Sequence, residues 1–174
     1  SDDSLVLAYL SLGEDEDAPI GPVARARRYL DRKTFVWQDG FPRMGEDGMP
    51  LQVDGSDGIP DRNGAWGSYY VHPMDPEWRK LLEVRLDQLA QRGVDGFFLD
   101  TVDVVPELQE EMFQLIVLLH ARYPQLRWVS NRGVTLLEAH PDLQKCLDGV
   151  VLESWFTHWN WSWGRAVVAP DRAE

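Results

Sequence analysis

Four polar residues stand where apolar, β-rich runs stop: Glu14 after "YLSLG", Asp100 after "GFFL", Asn131 after "WVS" and Glu153 after "VVL". In parallel α/β architectures the ligand site lies beyond the carboxyl ends of the strands, so these ends are candidates to share one cleft. Two carboxylates reaching a cleft from different strands suit glycoside hydrolysis, in which one group works ionised and the other protonated. Proximity favours that division, because the charge on one carboxylate opposes ionisation of its neighbour. Asp100 is expected to be one half of such a pair. A strand-end Asp often only caps the next helix, but Asp103, just before Val104, Val105 and Pro106, is better placed to do so, which frees Asp100. Alternation puts Gly96, Phe98 and Asp100 on one face and Phe97 and Leu99 on the other. With Asp100 toward a barrel axis, Phe97 and Leu99 would pack on helices.

The aromatic residues agree with a sugar ligand. Trp37, Trp66, Tyr69, Tyr70, Trp155, Trp159, Trp161 and Trp163 lie in loops or beside strand ends, and flat rings match the apolar faces of sugars. Trp155, Trp159, Trp161 and Trp163 would serve equally as one buried cluster. Other chemistries fit poorly. His72, His120, His140 and His158 show no close metal-ligand spacing, and the lone cysteine, Cys146, excludes an internal disulfide and a Cys-rich zinc site. His72 and His158 could line a cleft but read more readily as ordinary residues, and His120 reads as a surface residue late in its helix. There is no G-x-S-x-G elbow, phosphate loop or G-x-G-x-x-G fingerprint. No metal or cofactor is expected.

The formal charge of −12, from 29 acidic against 17 basic residues, argues against nucleic-acid binding. It would welcome a cationic ligand, and is also what a solvated acidic surface looks like. No run approaches the ~18 apolar residues of a membrane span, and residues 1–20 show no charged segment followed by an apolar one.

The elements that must position these residues can be read along the chain. Residues 5–12 and "TFVWQ" (34–38) read as strands, with a short helix opened by Pro22 between them, over 22–31. Residues 39–67 form a loop dense in Gly, Pro, Asp and Asn, long enough to suggest function. A helix follows over 75–93, with Asp75 as N-cap, Gly93 just past its end, and Trp78, Leu81, Leu82, Leu86 and Leu89 on its buried stripe. Then come the strand "GVDGFFLD", a helix over 106–124 burying Leu108, Met112, Leu115, Ile116 and Leu119, and the strand "LRWVSN". "VTLLEAHPDLQK" reads as a short helix broken near Pro141, and "LDGVVLES" as a last strand. Alternating strands and helices imply right-handed parallel β-α-β units, in a doubly wound sheet or a (β/α)8 barrel. A single domain spanning 1–174 is expected. It is short for a barrel of ~250 residues.

The segments "AYLSLGE" (8–14), "DPEWRKLL" (75–82), "GVDGFFLDTVD" (93–103), "SNRG" (130–133) and "VVLESWF" (150–156), in that order, resemble glycoside hydrolase family 114. They are similar also, and more closely, to the related Pel-type family 166. The resemblance covers roughly residues 5–160. It implies a (β/α)8 TIM-barrel-type fold, incomplete in this chain, because the family's first strand would lie before Ser1 and its last strands beyond Glu174. It implies an endo-hydrolase of α-1,4-linked galactosamine or N-acetylgalactosamine exopolysaccharide of the biofilm kind, acting outside the cell or in its envelope. Carried over, Asp100 and Glu153 are the catalytic pair, Asp100 as nucleophile and Glu153 as general acid/base. Glu14, Asp103, Asn131 and Arg132 become groups that bind sugar or support those that do, and Trp66, Tyr70 and Trp155 become stacking surfaces. An acidic cleft would suit a partly deacetylated, cationic polymer. The alternative is a non-catalytic carbohydrate-binding module on a degenerate barrel. A chitinase-type reading of "DGFFLD" fails, since Phe98 stands three residues after Asp95 where an Asp is needed.

Overall fold

The computed structural model describes residues 4–15, 29–31, 60–63 and 66–153, together with the backbone of four short strands at 37–38, 41–42, 157–160 and 165–168. The opening apolar run forms β1 (Leu7–Ser11), followed by the two-residue β2 (Glu14–Asp15). Strands β3 (Trp37–Gln38) and β4 (Phe41–Pro42) pair antiparallel, and β5 (Tyr69–Tyr70) pairs antiparallel with β2, setting Glu14 opposite Tyr70. Helix α1 (Pro76–Gln91), β6 (Gly96–Asp100), helix α2 (Gln109–His120), β7 (Arg127–Asn131), helix α3 (Val134–Ala139) and β8 (Gly149–Val151) then alternate. An antiparallel pair, β9 (Thr157–Asn160) and β10 (Arg165–Val168), completes the order.

The central sheet is four-stranded and wholly parallel, ordered β1-β6-β7-β8. A parallel connection must cross over the sheet, and α1, α2 and α3 supply those crossovers. The α/β expectation therefore holds, and among the described residues the parallel sheet has four of the eight strands that close a (β/α)8 barrel.

Local chemistry explains the helix ends. The Asp75 carboxylate accepts hydrogen bonds from the backbone N–H of Glu77 (2.9 Å) and Trp78 (3.0 Å), and Pro76 occupies the first turn, where its missing N–H does no harm. Gly93 follows at φ 81°, the left-handed conformation that ends helices. A 3-10 turn over Pro141–Lys145 replaces any continuation of α3, as the proline dictates. Two expectations are corrected. Asp103 does not cap the helix that follows it: the turn Pro106–Leu108 leading into α2 has no side-chain cap. A helix does not run to residue 31 either, because Tyr29 is extended and bridges Val71; residues 22–28 lie outside the described ones.

One face of the sheet packs on the helices. Phe97, Leu99 and Trp128 are fully buried against Trp78, Leu82 and Leu86 of α1 and Met112, Leu115, Ile116 and Leu119 of α2. Each such side chain contributes about 1.5–3 kcal/mol. Both buried indoles keep a partner, Trp78 Nε1 donating to the Leu12 carbonyl (2.8 Å) and Trp128 Nε1 to the Tyr123 carbonyl (3.1 Å). The strand period then turns Tyr9, Phe98, Asp100, Val129 and Asn131 to the opposite face.

Candidate active site

The parallel register delivers three strand ends to one place. Ser11 of β1 stands opposite Asp100 of β6, and Asn131 closes β7 one residue past the Leu99–Ser130 pair. The chain turns sharply immediately after both polar ends: Thr101 (φ 57°) follows Asp100 and Arg132 (φ 61°) follows Asn131. Left-handed backbone at non-glycine residues is disfavoured and persists only where surrounding contacts impose it. At Thr101 those contacts are explicit. Its Oγ1 lies 2.7 Å from the Asp100 carbonyl and accepts from the N–H groups of Leu12 (3.1 Å) and Gly13 (2.8 Å). Gly13 has to be glycine, since a Cβ there would sit 2.3 Å from the Thr101 carbonyl oxygen.

Asn131 is the hub. Its side-chain nitrogen donates one hydrogen bond to Asp100 Oδ1 (2.9 Å) and a second to Glu153 Oε2 (2.8 Å). Because one nitrogen reaches both, the two acceptor oxygens lie no more than about 5.7 Å apart. The other Asp100 oxygen, Oδ2, accepts from the Tyr9 hydroxyl at 2.7 Å. Asn131 itself is buried, and its Oδ1 has no hydrogen-bond partner among the described residues. The amide is thus oriented by its nitrogen, toward two carboxylates, rather than by its oxygen. Glu153 is exposed and Asp100 half-buried, so the pair lies where a ligand can reach it.

The remaining candidates form two neighbouring groups. Glu14 accepts from Asn63 Nδ2 on both oxygens (3.0 and 3.3 Å) and from the Ser68 hydroxyl on Oε2. Asn63 and Ser68 bracket a tight turn, closed by the Asn63 N–H to the Ser68 carbonyl (2.9 Å) and the Gly67 N–H to the Asn63 carbonyl (2.7 Å). Between them in the chain, Trp66 is 73% exposed. Tyr70, across from Glu14, has its hydroxyl pushed up to about 12 by burial, then by the nearby charges of Glu14 and Asp61. Separately, Asp103 accepts from the Gly133 N–H (3.1 Å) and pairs with Arg132 Nε (3.4 Å), holding the turn after β7 against the one after β6. Trp155 lies outside the described residues, as do the side chains of His158, Trp159 and the later tryptophans. His72 is half-buried with no assigned role.

Sequence reasoning passed over Tyr9, Asn63, Ser68 and Thr101. For Tyr9 a signal was present: a hydroxyl-bearing ring inside the apolar run "LVLAYLSL", in phase with the strand's last inward position. For Asn63 and Ser68 none existed, because their partner Glu14 is far away in sequence. A cavity of about 280 Å³ lies on the outer side of β1, lined by Tyr9, Ser11 and Glu14, by Arg85 and Gln88 of α1 and by Arg92 just past that helix; neither Asp100 nor Glu153 lines it. Among the described residues no three His, Cys, Asp or Glu side chains are grouped to hold a metal, and no helix is long and apolar enough to cross a membrane.

The glycoside hydrolase domain of PelA from Pseudomonas aeruginosa superposes on 96% of this chain with a TM-score of 0.65 and 27% identity. A variant of that domain gives 0.66 and 25%. The chain spans 57% of those domains. It is also 32% identical, over 98 residues, to the uncharacterized protein MJ1477 of Methanocaldococcus jannaschii, covering 56% of this chain and 21% of that protein. The expected fold is shared with the PelA domain, whereas nothing distinguishes the Pel-type family 166 as the closer assignment. The sequence pattern of glycoside-hydrolase family GH114 matches residues 51–160, which include Trp66, Tyr70, Asp100, Asn131 and Glu153, and the chain belongs to that family.

Proposed function

We propose that the chain carries the catalytic pair of a retaining endo-glycoside hydrolase, with Asp100 as nucleophile and Glu153 as general acid/base. The observation that carries the reading is the Asn131 amide nitrogen bonded to both carboxylates, which keeps the two bonded oxygens within about 5.7 Å of each other. Retaining enzymes need ~5–5.5 Å, and inverting ones ~6.5–9.5 Å to admit a water. The division of roles follows from the partners. Asp100 receives a donor on each oxygen, the arrangement that suits an acceptor-only carboxylate, while Glu153 is exposed and receives the one from Asn131.

In the first step an Asp100 oxygen bonds to the anomeric carbon as the bond to the leaving sugar breaks, and the Glu153 proton passes to the departing oxygen. In the second step Glu153 takes a proton from water, whose oxygen attacks the same carbon and releases Asp100. Trp66 is the stacking platform, and Tyr70 and Trp155 are proposed as its companions. Asp103 and Arg132 hold the rim of the cleft. Glu14 acts through the turn it ties down rather than by touching sugar.

The substrate proposed is an α-1,4-linked galactosamine or N-acetylgalactosamine exopolysaccharide outside the cell or in its envelope. Family membership supports it, and the net charge of −12 favours a partly deacetylated, cationic form. The test is mass spectrometry of products from acetylated and partly deacetylated polymer treated with parent, Asp100→Asn and Glu153→Gln. Oligosaccharides from the parent, reduced at least about a thousandfold in both variants, are expected. A folded parent that binds polymer and releases nothing would leave a non-catalytic carbohydrate-binding module instead.

A further inference from the structure

The Tyr9 hydroxyl has a place in this site that neither the family match nor the strand-end pattern assigns. Tyr9 stands on β1 two residues before its end, opposite Phe98, so its ring lies on the same face as Asp100 and reaches it diagonally across the β1–β6 pair. The ring rests tilted on Phe98, centroids 6.4 Å apart, and its hydroxyl donates to Asp100 Oδ2 at 2.7 Å. That length is that of a well-formed O–H···O hydrogen bond. Half of the residue is exposed, and its hydroxyl reaches the same carboxylate that Asn131 holds.

We propose that Tyr9 is a positioning residue for Asp100, locking the plane of its carboxylate so that one oxygen points at the reacting carbon. The inference rests on the reading of Asp100 as nucleophile. The terminal torsion of an aspartate is broad, so a single donor leaves the carboxylate free to swing about it. Asn131 supplies one donor, on Oδ1, and Tyr9 supplies the second, on Oδ2. Two donors from different strands fix both the position and the plane. Nucleophilic attack depends on that plane, because reacting atoms must meet within about 3–3.5 Å with aligned orbitals. The β1–β6 register in turn fixes Tyr9, so the positioning originates in the strand pairing.

A ring used only for packing or for stacking on sugar would work equally well as phenylalanine, and that contrast supplies the test. Parent, Tyr9→Phe and Tyr9→Leu are assayed for oligosaccharide release from the galactosamine polymer. In parallel, urea unfolding is followed for parent, Tyr9→Phe, Asp100→Ala and the double variant. Positioning predicts that Tyr9→Phe loses at least about tenfold in kcat with KM within about twofold, and that Tyr9→Leu does no better. It also predicts that Tyr9→Phe lowers the unfolding midpoint in the parent and leaves it unchanged in the Asp100→Ala background. Full kcat in Tyr9→Phe, a raised KM with kcat intact, or additive midpoints would overturn the proposal. A folded parent that releases nothing overturns the hydrolase reading and the catalytic role with it. The unfolding cycle then decides separately whether Tyr9 holds Asp100.

Discussion

Asn131 directs both of its amide hydrogens at carboxylates and leaves its own oxygen buried without a partner among the described residues. One neutral amide thus bridges the two carboxyl groups from a buried position. A lysine or arginine there would add a positive charge beside the pair, whereas the amide holds both carboxyl groups without adding one. Asn131→Ala is therefore expected to lower kcat about a hundredfold by letting the two carboxylates drift apart. Asn131→Asp should do worse, since it sets a third carboxylate against the other two. Rates of oligosaccharide release, with circular dichroism as a check on folding, measure both. Parent-like kcat in Asn131→Ala would remove the amide from the mechanism.

The short β2–β5 pair governs the rim of the cleft more than its two-residue strands suggest. Glu14 lies between the turn that displays Trp66 and the hydroxyl of Tyr70, which burial and the Glu14 and Asp61 charges push up to about 12 from an ordinary 10.0. Above pH 10 an unfolded Tyr70 loses its proton while the folded one keeps it until about 12. The unfolded chain then binds fewer protons, so this residue makes stability fall as pH rises through that window. Tyr70→Phe removes the effect. Compared by urea unfolding at pH 9 and pH 11, the variant should lose less stability than the parent over the interval. An equal loss would mean that the hydroxyl titrates alike in both states.

At the scale of the whole molecule, the excess of 29 acidic over 17 basic residues acts on ligands at a distance. The potential is screened within ~10 Å at 0.1 M salt and ~3 Å at 1 M. Binding of a partly deacetylated, cationic polymer is therefore expected to weaken several-fold between 50 mM and 500 mM salt, while the neutral, fully acetylated polymer changes little. Isothermal titration with Asp100→Asn, which prevents turnover, makes the comparison. Equal salt dependence for both polymers would show that the acidic surface is only a solvated one.

The strand–helix alternation, the caps at Asp75 and Gly93, the buried stripes of α1 and α2, and the inward phase of Asp100 were all legible in the sequence. Each depends on residues within a turn or two of one another, and the 3.6- and 2-residue periods report them directly. Even the meeting of Asp100 with Asn131 and Glu153 could be anticipated, because parallel strands bring their carboxyl ends to one side. Asp103 was misread as a helix cap because its true partners, the Gly133 N–H and Arg132, lie in the next β-α turn. Which atoms touch was a tertiary outcome: Tyr9 on Oδ2, a single amide on two carboxylates, Glu14 turned to Asn63 and Ser68. Hydrogen bonds depend on tenths of an ångström and on direction. Those are settled by the β1–β6–β7 register and the left-handed turns at Thr101 and Arg132, which local sequence pattern does not report.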